Sequence, residues 1–287
     1  MEYLKYIIAH KYISTQIIMS KKFDRMTAHC TEGLANRMKA IYSAKRQADE
    51  IDVYWTSNRI FKYGSLNEYF PDLVQCKQIG KNLQKSWRLK TLEGDVPEGF
   101  SCKNELLRKL TSFHQVGRGV THGQFIDFEY DRIPQHVRDE YCAVMDSVRI
   151  SDHILEEVDK YTTANNFDDE TVSVHIRTFF DSKQHHEALF SWDRCVEKMK
   201  KYKGRKIFLA TDYKQLIQPI KEIMGENCVI TREPTVEKYD SLIDMLILSK
   251  NDWMVGSPWS TFTELSWWLG GAKANIDICW KEDDWYA

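Results

Sequence analysis

His175 and Arg177 alternate with apolar residues in Val174-His175-Ile176-Arg177, at the end of a β-branched run. That alternation puts both side chains on one face of a strand. A guanidinium at the C-terminal end of a strand can grip a phosphate through two parallel hydrogen bonds, and open α/β sheets bind ligands at that edge. A buried structural salt bridge is the competing reading. A second anion-binding feature follows the short apolar run Asp252–Gly256. Gly256-Ser257-Pro258 turns the chain, and Ser260-Thr261-Phe262-Thr263-Glu264 opens a helix, with Thr261 and Glu264 at capping-box spacing. A strand that enters a helix through Gly and Ser aims unpaired N–H groups and hydroxyls at one point, which favours phosphate. The same residues also suit a plain capped helix.

Three further groups carry candidate chemistry. Asp212 ends the run Leu209-Ala210-Thr211-Asp212, where its carboxylate could accept from a base or ribose, or cap a helix starting at Tyr213. In Glu32-Gly33-Leu34-Ala35-Asn36-Arg37, Gly33 permits a tight turn, and Asn36 and Arg37 fall in the first helical turn, as ligand contacts or as decoration of the turn. This is not G-x-G-x-x-G, so no dinucleotide fingerprint is present. The segment Asp181–Phe190 gathers Asp181, Lys183, His185, His186 and Glu187 beside an apolar anchor, and on its own it reads as a solvated loop.

Composition narrows the classes. At 287 residues the chain can hold two domains, and 43% hydrophobic with 29% charged residues is the balance of a folded protein. A net charge of −2 gives no global reason to bind nucleic acid. Seven scattered cysteines without C-x-x-C argue against a zinc site and a disulfide framework, and favour a reducing compartment, hence a cytoplasmic location. No Asp-x-Asp occurs, so no metal or other cofactor is expected. Met1–Ser20 is apolar in patches but interrupted by Lys5, His10 and Lys11; it predicts an amphipathic helix rather than a membrane span, and a start at Met19 would make it an extension.

The elements that must position these groups alternate. Strands are predicted at Met26–Thr31, Ile51–Trp55, Leu73–Ile79, Thr171–Ile176, Lys206–Ala210, Cys228–Thr231, Asp252–Gly256 and Ala274–Cys279. Helices are predicted at Leu34–Ala48, Pro134–Met145, Asp152–Tyr161, Trp192–Tyr202, Tyr213–Met224 and Asp244–Lys250, with a further helix after Ser260. Gly80–Gly123 reads as loops and short helices. The alternation implies parallel sheets covered on both faces. A polar connector near Ser151–Phe167 suggests two α/β domains, 1–155 and 156–287, with a cleft between them.

Gly33-Leu34-Ala35-Asn36-Arg37, Val174-His175-Ile176-Arg177, Ala210-Thr211-Asp212 and Gly256-Ser257-Pro258-Trp259-Ser260-Thr261-Phe262 occur in the order seen in the fucosyltransferase superfamily, and the chain resembles it. That superfamily comprises α1,6-fucosyltransferases, rhizobial nodulation fucosyltransferases and protein O-fucosyltransferases. Tyr54-Trp55…Asn58 and Leu66-Asn67-Glu68-Tyr69-Phe70 are similar to the nodulation-type enzymes. The resemblance implies a GT-B fold, two Rossmann-like domains, and an inverting, metal-independent transferase moving fucose from GDP-fucose to a glycan acceptor. It implies Arg177 on the donor diphosphate, Asp212 on the nucleoside, and Ser260, Thr261 and Phe262 at phosphate, with Gly33, Asn36, Arg37, His175 and Ser257 around them. Lys183 and Glu187-Ala188-Leu189-Phe190 look like the α1,6 pattern that carries the base, which makes Glu187 the candidate, Lys183 its partner and Asp181 the runner-up. Thr178 stands where the α1,6 enzymes have a second Arg, Ala35 replaces a glycine, and Glu32 occupies a usual glycine position. These departures leave open another donor, such as the UDP-sugar of a xylosyltransferase, and a non-catalytic nucleotide-sugar- or glycan-binding protein.

Overall fold

The computed structural model describes residues 23–30, 32–57, 63–85, 135–234, 238–258 and 260–279. The N-terminal helix predicted over Met1–Ser20, most of Gly80–Gly123, Asn58 and Trp259 lie outside them.

Two parallel sheets form the frame. The first is built from β1 (Phe23–His29), β2 (Ala48–Tyr54), β3 (Val74–Gln75) and β4 (Leu83–Lys85), in the order β3-β2-β1-β4. Helix α1 (Leu34–Gln47) connects β1 to β2, and the one-turn α2 (Leu66–Tyr69) precedes β3. The second sheet is built from β5 (Val172–Ile176), β6 (Ile207–Thr211), β7 (Val229–Ile230), β8 (Trp253–Gly256) and β9 (Asn275–Ile278), in the order β7-β6-β5-β8-β9. In both sheets the chain starts at an interior strand, builds outward on one side, then crosses to the other. That reversal is the Rossmann order, and it opens a crevice beyond the carboxyl ends of the two strands flanking the switch. Helices α3 (Gln135–Asp146) and α4 (Asp152–Ala164) lie between the sheets in sequence. Around the second sheet run α5 (Lys183–Leu189), α6 (Trp192–Lys200), α7 (Ile217–Met224), α8 (Asp240–Leu248) and α9 (Thr261–Leu269).

Strand β5 is buried along its whole length, as an inner strand of a doubly covered sheet must be. Its alternate residues serve two cores. Val172, Val174 and Ile176 pack with Cys195, Met199, Ile220 and Met224 beneath α6 and α7. On the opposite face the Ser173 hydroxyl donates to the Leu248 carbonyl at 2.7 Å and accepts from Asn251 at 2.9 Å, and His175 packs toward α9. The larger core runs continuously from Met26, Ile41 and Val53 of the first sheet to Leu242, Leu246, Leu265, Trp267 and Trp268 of α8 and α9. Tyr141 of α3 meets Trp268 edge-on at 5.4 Å. Within this seam Lys39 of α1 and Glu264 of α9 form an ion pair sealed from water.

Several sequence expectations are corrected. Leu83–Lys85, read as irregular, is a strand that pairs in parallel with β1. Lys183–Leu189, read as a loop, is helical. Glu264 does not complete a capping box: the cap of α9 is Ser260, whose hydroxyl accepts from the Thr263 N–H at 3.3 Å, and Glu264 turns inward to Lys39.

Candidate functional site

Register assembles the centre of the site. Ile176 of β5 pairs with Thr211 of β6, so the next residues, Arg177 and Asp212, emerge side by side. On the other flank His175 pairs with Gly256 of β8. A Cβ on Gly256 would stand 2.2 Å from Thr263 Cγ2, so only glycine lets α9 start this close to the strand. The Ser257 N–H donates to the His175 carbonyl at 3.1 Å, and the Ser257 hydroxyl accepts from the Arg177 N–H at 2.8 Å. Ser257 is therefore a buried staple between β5 and β8, which positions Arg177 rather than reaching a ligand.

These strand ends open on a cleft of about 710 Å³ that both halves of the chain line. From the first half come Glu32, Gly33, Leu34, Ala35, Asn36 and Tyr63; from the second come His175, Arg177, Phe179, Asp181, His185, Asp212, Ser241, Asp244, Ser260, Thr261 and Phe262 among others. The Arg177 guanidinium is 31% exposed and is held by two carboxylates, Asp212 and, at 2.8 Å, Asp181. Asp212 is held in turn by the Thr178 N–H at 2.8 Å and the Thr178 hydroxyl at 3.2 Å. Asp212 does not cap the following helix; the Tyr213 N–H donates to Thr211 instead. Thr178, which stands in place of a second arginine, anchors the carboxylate that orients the first.

His175 is buried. Its Nδ1 shares a hydrogen bond of 2.6 Å with the Thr263 hydroxyl, and its ring stacks on Phe262 at 4.7 Å. Burial pushes its pKa down to about 4, with Asp212 opposing and Arg177 reinforcing that shift, so the imidazole is neutral at pH 7. The N–H groups of Thr261 and Phe262, in the first turn of α9, have no hydrogen-bond partner among the described residues. They carry the positive end of the helix dipole to the cleft.

Four predicted site residues do not line the cleft. Arg37 points inward: its Nε donates to the Glu32 carbonyl at 2.8 Å, its Nη1 donates to the Thr56 carbonyl at 2.7 Å, and Trp55 and Tyr63 lie against it at 5.1 and 4.8 Å. Burial lowers its pKa. Ser257 is the staple described above. Lys183 and Glu187 form an i,i+4 pair at 3.7 Å on α5, with side chains 88% and 64% exposed. Gly33 does reach the cleft, but with φ −58° and ψ 162°, a conformation open to any residue; a tight turn is not what it provides. Asn36 lines the cleft, and its Oδ1 is buried with no hydrogen-bond partner among the described residues.

Three contributors were not singled out from the sequence. Ser241 and Asp244 reach the cleft from α8, because Asp244 falls one turn after the helix start at Asp240. Asp244 accepts from Arg232 Nε at 2.6 Å, and burial raises its pKa against the opposing pull of that arginine. His185, within the polar segment, faces the cleft and lies edge-on to Phe179 at 6.1 Å. The sequence carries no signal for Asp244, because the burial of its partner Arg232 appears only in the fold. Glu32, which with Asp212 stands next in line for the base after Glu187 and Asp181, is exposed in the cleft with no ion pair among the described residues.

No protein-family model matches this sequence, and no curated protein matches it. Among solved structures it is similar to the apo form of POFUT1, with a TM-score of 0.50 and 14% identity over 91% of this chain and 98% of that one. POFUT1 in complex with GDP matches at a TM-score of 0.41 and 17% identity over 53% of this chain, and the match spans about half, 52%, of that chain's length. NodZ α-1,6-fucosyltransferase soaked with GDP-fucose matches at 0.48 and 12% identity over 87% of this chain and 93% of that one; NodZ has also been solved from Bradyrhizobium. The likeness to the POFUT1 apo form bears on architecture: two Rossmann-like parallel sheets arranged as in the GT-B fold.

Proposed function

We propose that the chain is an inverting glycosyltransferase that binds a GDP-sugar, GDP-fucose first among them, and transfers its sugar to a glycan hydroxyl. The observation that carries this reading is the convergence, at the switch point of the second sheet, of Arg177, the open first turn of α9 and the Asp244 carboxylate on one cleft. Crystals of proteins with a related fold hold GDP or GDP-fucose: POFUT1 with GDP, and NodZ soaked with GDP-fucose.

The diphosphate lies between Arg177 and the N–H groups of Thr261 and Phe262. Arg177 exchanges one or both carboxylates for phosphate oxygens. As the sugar–phosphate bond breaks, the leaving diphosphate gains charge, and each well-placed donor there contributes about 3 kcal/mol to the transition state. A guanidinium and a helix terminus supply this stabilisation without a divalent cation. Asp244, fixed by Arg232, turns its second oxygen to the base. A carboxylate accepts from the adjacent N1–H and N2–H groups of guanine; uracil offers one N–H between two carbonyls and is repelled. This supports GDP over UDP as the carrier.

The acceptor hydroxyl attacks from the face opposite the diphosphate and needs a base. Glu187 and Lys183 lie on the exposed side of α5, and Asp181 and Asp212 lie beside Arg177, on the diphosphate side of the cleft. Glu32, which lines the cleft from the first half without an ion pair among the described residues, is the base in this reading. The unpaired thiols among the described residues support a reducing compartment.

A nucleotide panel read by thermal shift tests the donor. GDP at about 100 times its dissociation constant stabilises the fold by about 2.7 kcal/mol, in excess EDTA as well as without it. Stabilisation by UDP and UDP-sugars but not by GDP overturns the donor assignment, and a requirement for Mn²⁺ or Mg²⁺ overturns the metal-free mechanism. For the base, Glu32→Gln lowers donor turnover by about 10²-fold or more while the GDP shift persists. Full turnover in Glu32→Gln with loss in Asp181→Asn or Glu187→Gln moves the role to that residue.

A further inference from the structure

Phe180 is 65% exposed, the most exposed large hydrophobic side chain among the described residues. It is not a loose surface ring. Its face stacks on Tyr213 with centroids 4.7 Å apart and planes 22° from parallel. The turn that carries it is pinned: the Phe180 N–H donates to the Thr178 hydroxyl at 3.3 Å, and the Ser182 N–H donates to the Phe179 carbonyl at 2.8 Å. Phe179 holds φ at +55°, a left-handed conformation that a bulky side chain rarely adopts. That strained residue throws successive side chains to different sides of the turn. Phe179 and Asp181 face into the cleft, while Phe180 between them does not line it. The same division occurs on β6, where Asp212 faces the cleft and Tyr213 carries the outer stack. Phe180 therefore stands exposed with Tyr213 stacked behind it, each one residue away from a carboxylate that lines the cleft and holds Arg177.

We infer that the outer face of Phe180, backed by Tyr213, forms a platform for a pyranose ring of the acceptor glycan, beyond the unit that receives the transferred sugar. The inference rests on the glycosyltransferase reading and names a substrate class within it: an oligosaccharide long enough to leave the cleft, rather than a free monosaccharide. The cleft of about 710 Å³ has the size that encloses one ligand of nucleotide-sugar dimensions, so a ring outside it meets the second substrate. A flat, immobilised aromatic face presents apolar area with little ordering cost on binding. The C–H face of a pyranose is the complementary surface. An exposed aromatic fixed by backbone strain at a site edge is a costly arrangement for solubility alone.

The test uses the full chain on an array of immobilised oligosaccharides from two to six sugars, with the GDP thermal shift as a parallel readout. The wild-type chain binds at least one oligosaccharide on the array. Phe180→Ala weakens that binding roughly tenfold, and Phe180→Trp restores it. The GDP shift is the same in all three. Equal glycan binding by Phe180→Ala overturns the inference, as does an array on which the wild-type chain binds nothing. Loss of the GDP shift in Phe180→Ala also overturns it, because the platform would then belong to the donor's base. Absence of any GDP shift in the wild-type chain, with glycan binding that depends on Phe180, removes the donor reading and leaves the platform standing.

Discussion

Arg37, in the first turn of the helix after β1, and Arg177, the residue after β5, both follow the first strand of their sheet, yet the fold uses them in opposite ways. Arg37 is buried between two aromatic rings and donates to two backbone carbonyls. Those partners are neutral and fixed, and no ligand could replace them without opening the turn between β1 and α1. Arg177 is partly exposed, and its partners are carboxylates reached through side chains, one of them Asp181 with 70% of its side chain in solvent. A charged partner at the mouth of a cleft can be traded for a phosphate oxygen at small cost, because exposed ion pairs are worth little. What separates a structural arginine from a binding arginine here is the replaceability of its partners.

The largest expected effect breaks the structural member of the pair. Arg37→Ala leaves the Glu32 and Thr56 carbonyls without their donor and a cavity beside Trp55. Unfolding free energy in urea falls by roughly 3–4 kcal/mol. A loss below about 1 kcal/mol would place Arg37 with the dispensable surface cations.

His175 lies on the same strand face as Arg177 but belongs with the buried group. Its folded pKa of about 4 is below the ordinary histidine value of 6.5, so between those pH values the unfolded chain holds more protons. Its contribution is fully present above about pH 6.5 and is lost as pH falls toward 4, amounting to roughly 3 kcal/mol. Urea titrations at pH 7 and pH 4 should show that His175→Gln removes most of this difference. An unchanged pH slope in the variant would assign it to other groups.

Arg177→Ala should behave in the opposite way from Arg37→Ala. GDP affinity, measured by calorimetry, falls by about 2–3 kcal/mol, while the unfolding free energy stays within about 0.5 kcal/mol. Comparable losses in stability and binding would erase the distinction between the two arginines. The smallest effect sharpens it. Asp181→Asn removes one competitor for the guanidinium, and GDP binding tightens by up to about 1 kcal/mol. Weaker GDP binding in that variant would show that Asp181 orients Arg177 for the ligand rather than competing with it.

The legible parts of the molecule are those where local pattern and tertiary role coincide. The apolar alternation of β5 and the His-x-Arg ending carry both the strand and the direction of its two polar side chains. Helix α1 is legible for the same reason, since its length follows from an unbroken helical stretch between two strands. Leu83–Lys85 carries no such pattern, because a three-residue strand is defined by its pairing with β1, which is remote in sequence. Helix α5 is polar on most of its surface and buries only Leu189, so no apolar period marks it. Glu264 has capping-box spacing from Thr261, but a lysine 225 positions earlier claims its carboxylate. Asp244 reads as an ordinary helical residue until Arg232 and the cleft are seen on either side of it.

The sealed Lys39–Glu264 pair has a consequence for how this molecule can diverge. Replacing either partner alone strands a charge in a dry seam, at about 3–5 kcal/mol, a large part of the 5–15 kcal/mol that holds a typical protein folded. Replacing both with apolar side chains of similar volume is close to neutral. Descendants of this chain therefore reach an uncharged seam through a step that few of them survive, unless another change has first made the molecule more stable. The two halves are tied in their histories as well as in their packing, because each carries one member of a pair that neither can change first.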